Sequence, residues 1–255
     1  MTTGSNRKDD LSPHETERQS AAGQHRRVEV EMELLQDIRA VTFDVGGTLM
    51  DPWPSVGHVY AEVATKHGFT GLEPEKLTRQ FTRAWRSKTS FDYTRAAWAE
   101  VVSKTFEQHA EPGRQMPFFD ELYERFAEPG VWRLNEDVLP AIEMLIERGA
   151  ELGLVSNWDE RLRPLLRKLK LDRYFRVIII SQEIGFHKPS SVIFQEAARK
   201  FTCPASGVLH IGDSEMEDVQ GARRAGLQAL LLDRRAANSS PGSISSLREL
   251  EACLA

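Results

Sequence analysis

The chain has 255 residues, of which 40% are hydrophobic and 28% charged, with a formal net charge of −5. This balance excludes a collagen-like, wholly disordered or disulfide-framework protein, and the length admits one large domain or two smaller ones. The acidic excess weighs against a nucleic-acid partner. Cys203 and Cys253 form no local C-x-x-C pair and read as reduced, structural residues. No apolar run approaches the roughly 20 residues of a membrane span, and the first thirty residues lack a signal-peptide core. A soluble, cytoplasmic protein without a membrane partner is expected.

Residues 1 to about 36 differ from the rest: the stretch 1–27 is polar, of mixed charge and almost free of large apolar side chains. Such a segment buries too little surface to offset its chain entropy, so a disordered tail is expected. Its Arg26-Arg27 pair reads as a solvated patch, and Met32 just before the globular part is a possible native start. Ile38–Phe43 is a β-prone apolar run that stops at Asp44 and a turn through Gly46, Gly47 and Thr48. From Val56 to Pro129 the pattern is helical throughout, punctuated by prolines such as Pro74, Pro112 and Pro117. Its aromatic residues Phe81, Trp85, Trp98, Phe106 and Phe118 are expected to pack a core of their own.

A strand–helix alternation then takes over. Apolar runs at 150–155, 176–180, 207–211 and 227–232 are separated by helix-patterned stretches at 137–148, 160–170, 192–201 and 217–225. That alternation predicts an α/β fold with a parallel sheet covered on both faces, interrupted after its first strand by a helical insertion at 56–129. The core is then 37–55 together with 130–255.

Open parallel sheets bind ligands beyond the carboxyl ends of their strands. The first run is followed by Asp44, the second by Ser156 and Asn157, the third by Lys188, and the fourth by Asp213 and Asp218. Each alone has a plain alternative: a helix cap, a solvated lysine, a strand-terminating acid. Together they assemble acids, a hydroxyl and a lysine at one sheet edge. That set suits phosphoryl transfer, with a carboxylate as nucleophile and a cation against the repulsion between carboxylate and phosphate. Mg²⁺ takes oxygen ligands of the kind Asp44 and Asp213 offer. No G-x-x-x-x-G-K-[ST] loop is present, so a nucleotide P-loop is not the explanation.

The stretches TFDVGGTLMD (42–51), ELGLVSNWD (151–159), GFHKPSSVIF (185–194) and VLHIGDSEMEDVQGARRAG (208–226) resemble, in order and spacing, the four motifs of the haloacid dehalogenase superfamily. RQFTRAWRSK and RAAWAEVVSKTF are further similar to one branch of it. The resemblance implies a doubly wound Rossmann-like core with an α-helical cap over residues 56–129. It implies Asp44 as nucleophile, Ser156 and Lys188 as its catalytic partners, and Gly47, Thr48 and Asn157 around the phosphate. Asp44, the main chain of Gly46, Asp213 and Asp218 would hold Mg²⁺, and the substrate would be a small phosphorylated molecule.

One position departs from that pattern. Phosphatases of the superfamily usually carry a second aspartate two residues after the nucleophile, and here it is Gly46. Glycine moves no proton, a loss typically worth 10²- to 10⁴-fold in rate. Asp51, His58 and Asp92 are the possible substitutes. The expected activity is a weakened or specialised Mg²⁺-dependent phosphatase. A non-catalytic or regulatory binding protein is the alternative. Dehalogenation ranks lower because of the acidic fourth motif. A phosphonatase, which needs a cap lysine, ranks lower because Lys66, Lys76, Lys88 and Lys104 read as solvated.

Overall fold

The computed structural model describes residues 35–88, 91–109, 116–236 and 240–254. The expected tail lies outside them up to residue 34, together with Arg26, Arg27 and Met32, as does Pro112. Leu35, counted with the tail from sequence, belongs to the fold. Its amide donates to Cys253 O at 2.9 Å, it bridges to Leu254, and its side chain packs on the core. Its partner is the far end of the chain, which a local reading cannot see.

The chain begins with β1 (Ala40–Phe43) and a short β2 (Met50–Pro52). Four helices follow: α1 (Val56–Lys66), α2 (Pro74–Arg86), α3 (Arg95–Thr105) and α4 (Phe119–Arg125). After β3 (Trp132–Leu134) come α5 (Val138–Glu147), β4 (Glu151–Ser156), α6 (Leu162–Lys168), β5 (Val177–Ile180), α7 (Ser181–Ile184) and α8 (Ser191–Lys200). The rest is β6 (Val208–Gly212), α9 (Gly221–Arg224), β7 (Gln228–Leu232), β8 (Ser243–Ile244) and α10 (Leu250–Cys253).

The main sheet has six strands in the order β5-β4-β1-β6-β7-β8, and every pair in it is parallel. Chain order therefore reverses between β1 and β6, where a doubly wound sheet opens its ligand crevice. The two-residue period of β1 divides its side chains between the faces. Val41 and Phe43 join the cluster with Ile142, Leu145, Leu162 and Leu166 of α5 and α6. Ala40 joins the opposite cluster with Ile193, Phe194 and Ala197 of α8. Thr42, on that second face, sits in register with His210.

The helical insertion has a core of its own, including Val59, Val63, Leu77, Phe106, Phe118 and Leu122. Ser55 caps α1 through the His58 amide, Pro74 opens α2, and Thr94 caps α3 through the Ala97 amide. Phe106 and Phe118 are fully buried there, as expected. Phe81 and Trp98 pack against that core from its rim while also lining a cavity, and Trp85 lines the same cavity. Helical spacing does not say whether an apolar stripe meets protein, a cavity or both.

A paired β2 and β3 close the root of the insertion, with Met50 opposite Leu134 and Pro52 opposite Trp132. A buried latch joins insertion to core. Arg161 donates to both oxygens of Asp159, at 2.8 and 2.6 Å, and to Tyr123 O at 3.0 Å. Trp98 Nε1 donates to Asp159 Oδ2 at 2.8 Å, and the Arg161 guanidinium lies 3.6 Å from the Tyr123 ring centroid.

Candidate active site

The carboxyl ends of β1, β4 and β6 deliver their following residues to one point. Asp44 leaves β1, and its amide donates to Ile211 O of β6 at 2.9 Å. Ser156 ends β4 and donates to Asp44 Oδ1 at 3.2 Å. Lys188, only 2% exposed, donates from Nζ to Asp44 Oδ1 and to Asp218 Oδ1, each at 2.6 Å. An ammonium can be buried so deeply only when paired.

Asn157 holds the lysine segment by both sides of its amide. Its Oδ1 accepts from the Lys188 amide at 2.7 Å, and its Nδ2 donates to Lys188 O at 3.0 Å and to Glu217 at 3.2 Å. Asp218 is tied down as firmly. Its Oδ1 also accepts from the ring of His210 at 3.1 Å, and its Oδ2 from the Ser214 amide at 3.0 Å. His210 Nδ1 in turn meets Thr42 Oγ1 at 2.9 Å. A fully buried chain of polar groups thus runs from β1 and β6 to the lysine.

Two glycines make these approaches possible. A Cβ on Gly212 would lie 2.1 Å from Asp218 Cγ, and one on Gly47 would lie 2.5 Å from Asp213 Oδ2. Gly47 also has φ +79°, the left-handed region that other residues adopt at a cost. Gly46 is different: its Cβ position is open apart from Trp158 Cζ3 at 3.5 Å.

Carboxylate oxygens of Asp44, Asp213 and Asp218 lie within 4.8 Å of one another. Against them stands Lys188, and the imbalance shows in the titration of the groups. Withdrawal from solvent, with repulsion by Asp44 and Asp218, pushes Asp213 up to about 7 despite the attraction of Lys188. Burial likewise raises Asp44, Lys188 opposing and Asp218 assisting. Burial would lower Lys188, but Asp218 and Asp44 outweigh it and hold the ammonium well above its usual range. Burial would raise Asp218, but Lys188 and His210 outweigh it and hold that carboxyl well below its usual range. An all-oxygen donor set with surplus negative charge fits a hard divalent cation such as Mg²⁺. Asp44 and Asp213 are the side chains best disposed to hold one, since both Asp218 oxygens already accept hydrogen bonds.

The cavity above these groups measures about 850 Å³. It is lined by Asp44, Gly46, Gly47, Ser156, Asn157, Lys188, Asp213 and Asp218, so Asp44 and seven other sequence-derived residues meet there. Thr48 does not line it. Thr48 is fully buried, its carbonyl accepts from Arg234 at 2.8 Å, and its hydroxyl has no partner among the described residues. None of Asp51, His58 or Asp92 lines the cavity. Asp51 accepts from Asn135, His58 pairs with Ser55, and Asp92 accepts from Thr94. Lys188 is the lysine of the cavity; Lys66, Lys88 and Lys104 bond to Glu62 and Glu121, to Glu100, and to Ser87. Sequence reasoning missed Tyr93 and Glu217, which line the cavity, and His210, which backs it. The His210 signal was legible, as a polar residue on an otherwise apolar strand. Tyr93 and Glu217 gave none.

The sequence matches the family model of haloacid dehalogenase-like hydrolases over residues 38–226. Human haloacid dehalogenase-like hydrolase domain-containing protein 3 is 32% identical over 206 residues, covering 76% of this chain and 82% of that protein. A glyceraldehyde 3-phosphate phosphatase from Methanopyrus kandleri is 34% identical over 104 residues, covering 38% of this chain and 42% of the relative. Among solved structures, a 2-haloacid dehalogenase from Pseudomonas syringae superposes with a TM-score of 0.58 at 25% identity, over 85% of this chain and 97% of that one.

Proposed function

The chain belongs to the haloacid dehalogenase-like hydrolase family, and on that premise we propose that it is a Mg²⁺-dependent phosphatase acting through an Asp44 phosphoenzyme. The observation that carries this reading is the acid cluster beside a buried lysine at the sheet's switch point. A dehalogenase attacks carbon and has no phosphate charge to neutralise. A phosphatase must bring a carboxylate to a phosphate dianion, and surplus acid that draws a divalent cation serves that purpose.

Lys188 and Ser156 orient the Asp44 carboxylate toward the cavity. The Asp44 oxygen forms a bond to phosphorus, and the bond to the leaving oxygen breaks with its electron pair. Water then attacks phosphorus, the Asp44 carboxylate departs, and inorganic phosphate leaves. Asp44 and Asp213, with the main chain of Gly46, would hold Mg²⁺, which supplies charge neutralisation at the phosphoryl oxygens. Asn157 acts as a positioning residue, since its amide is committed to the Lys188 main chain. Gly46 supports a second reading, a site that binds phosphate or becomes phosphorylated without useful turnover.

Asp44→Asn tests the proposal. Mg²⁺-dependent release of phosphate from an aryl phosphate is expected to vanish in this variant. Full activity would remove Asp44 as nucleophile. A wild type that takes up phosphate from a reactive donor but never releases it would favour the second reading.

A further inference from the structure

Building on the phosphatase reading, we infer that the substrate of this site is an aryl phosphate: a phosphate monoester whose leaving oxygen is attached directly to an aromatic ring. Two separate observations converge on it. The first is the wall of the cavity. Apart from the catalytic groups, about half of its lining residues are aromatic, among them Phe81, Trp85, Trp98, Phe126, Trp132 and Trp158, beside polar residues such as Arg86, Glu215 and Glu217. They are held edge and face against each other, with Trp85–Trp98 centroids at 4.9 Å and Trp132–Trp158 at 5.1 Å. The aromatic part of this surface prefers a flat apolar body, and the hydroxyls of a sugar or polyol laid against it would lose water without replacement.

The second observation is Gly46, and it bears on chemistry rather than on fit. Asp51, His58 and Asp92 lie outside the cavity, and Glu217, which does line it, is engaged by the Asn157 amide at 3.2 Å, so no acid stands at the Gly46 position itself. On this reading the leaving oxygen departs as an anion. A phenol ionises near pH 10, whereas an alkoxide is about as basic as hydroxide, whose parent water has a pKa of about 16. Phosphorus–oxygen cleavage leaves the electron pair on the phenolate, which takes its proton afterwards from solvent. The Trp158 ring borders Gly46, with Cζ3 3.5 Å from the Cβ position there. An aromatic leaving group can thus lie against Trp158 in the space where other members carry the acid.

The test separates the two causes. Wild-type full-length protein with Mg²⁺ is assayed for kcat/KM on phenyl phosphate, benzyl phosphate, acetyl phosphate and glycerol phosphate. Phenyl phosphate has both the ring and the good leaving group, benzyl only the ring, acetyl only the leaving group, glycerol neither. Phenyl phosphate is expected to exceed glycerol phosphate by about 10³-fold or more, combining a leaving-group factor of the usual acid–base size with a binding factor of about tenfold. Benzyl phosphate should fall between them, and acetyl phosphate, whose carboxylate leaves more readily than a phenolate, should also exceed glycerol phosphate. In Trp158→Leu the phenyl-to-glycerol ratio should drop about fivefold or more. Glycerol phosphate equal to or better than phenyl phosphate would overturn the inference while leaving the phosphatase reading intact. If turnover is undetectable with all four, equilibrium dialysis on Asp44→Asn decides: tighter binding of phenyl phosphate than of glycerol phosphate supports the inference, and equal binding overturns it. Binding of neither sinks the phosphatase reading and the inference with it.

Discussion

Gly46→Asp is the most informative single substitution in this chain. Gly46 lines the cavity with Asp44, its φ lies outside the left-handed region, and the nearest atom to a new Cβ is Trp158 Cζ3 at 3.5 Å, an ordinary contact. An aspartate Cβ can thus be accommodated without backbone strain, at the edge of a cavity whose wall is rich in aromatic side chains. Burial there raises a carboxyl toward the range useful for proton transfer. Restored general acid–base help of 10²- to 10⁴-fold corresponds to about 2.7–5.4 kcal/mol of transition-state stabilisation. The assay is kcat and kcat/KM with Mg²⁺ on glycerol phosphate and phenyl phosphate. Glycerol phosphate turnover should rise by the full factor. Phenyl phosphate should gain less in kcat/KM, because its leaving group needs no proton. It should gain in kcat, because water attack on the aspartyl-phosphate also lacks a base in the wild type. Pre-steady-state measurement completes the picture. Wild type should release phenol in a burst of about one equivalent and then turn over slowly, and the burst should disappear in the variant. No gain on either substrate, with the same fold and the same Mg²⁺ affinity, would refute the idea that the site lacks only its proton carrier.

Other outcomes follow from the same geometry. Gly47→Ala puts a methyl 2.5 Å from Asp213 Oδ2 at φ +79°, so Mg²⁺ affinity, read by calorimetry, should fall at least tenfold as Asp213 is displaced. Arg161→Ala strips the partner from the fully buried Asp159 and should cost about 3–5 kcal/mol in denaturant unfolding; a loss under 1 kcal/mol would mean the latch is already solvated. Asp213 is raised to about 7, so Mg²⁺ must displace a proton below that pH. The half-saturating Mg²⁺ concentration should rise by up to tenfold per unit as pH falls from 7 to 5. For stability the sign is opposite to that of an ordinary paired carboxylate. The folded state holds the Asp213 proton that the unfolded chain has lost, so the metal-free protein loses stability as pH rises from about 4 to 7. Mg²⁺ should offset that loss, and melting temperatures at pH 5 and 8 with and without Mg²⁺ check it.

Much of the site was legible because its chemistry is punctuated by secondary structure. Asp44, Ser156 and Asp213 each stand at or just past the end of an apolar run, and a parallel sheet collects strand ends at one edge. Lys188 follows β5 by a longer loop, yet the order of the runs was enough to bring it in. The five runs foreseen all became strands of the main sheet, because buried parallel strands read as continuous apolar segments. Strands β2, β3 and β8 were not foreseen. They have three, three and two residues, too few for alternation to show, and β2 ends in Pro52, which reads as a breaker.

The sequence by itself thus determined the fold class and the family and named the candidate site residues, since these depend on residue type and on spacing along one strand or helix. Tertiary structure decided which groups touch. Only packing reveals that Asn157 clamps the Lys188 main chain rather than facing outward, that His210 and Thr42 back Asp218 across β1 and β6, and that Thr48 is shut away from the cavity. It also decided that Phe81, Trp85 and Trp98 line a cavity while Phe106 and Phe118 are shut inside the core. The physical reason is common to all of them. Hydrophobic periodicity fixes which side of an element is apolar, but what meets that side is set by segments distant in the chain, and so is the environment that raises or lowers a carboxyl's affinity for its proton.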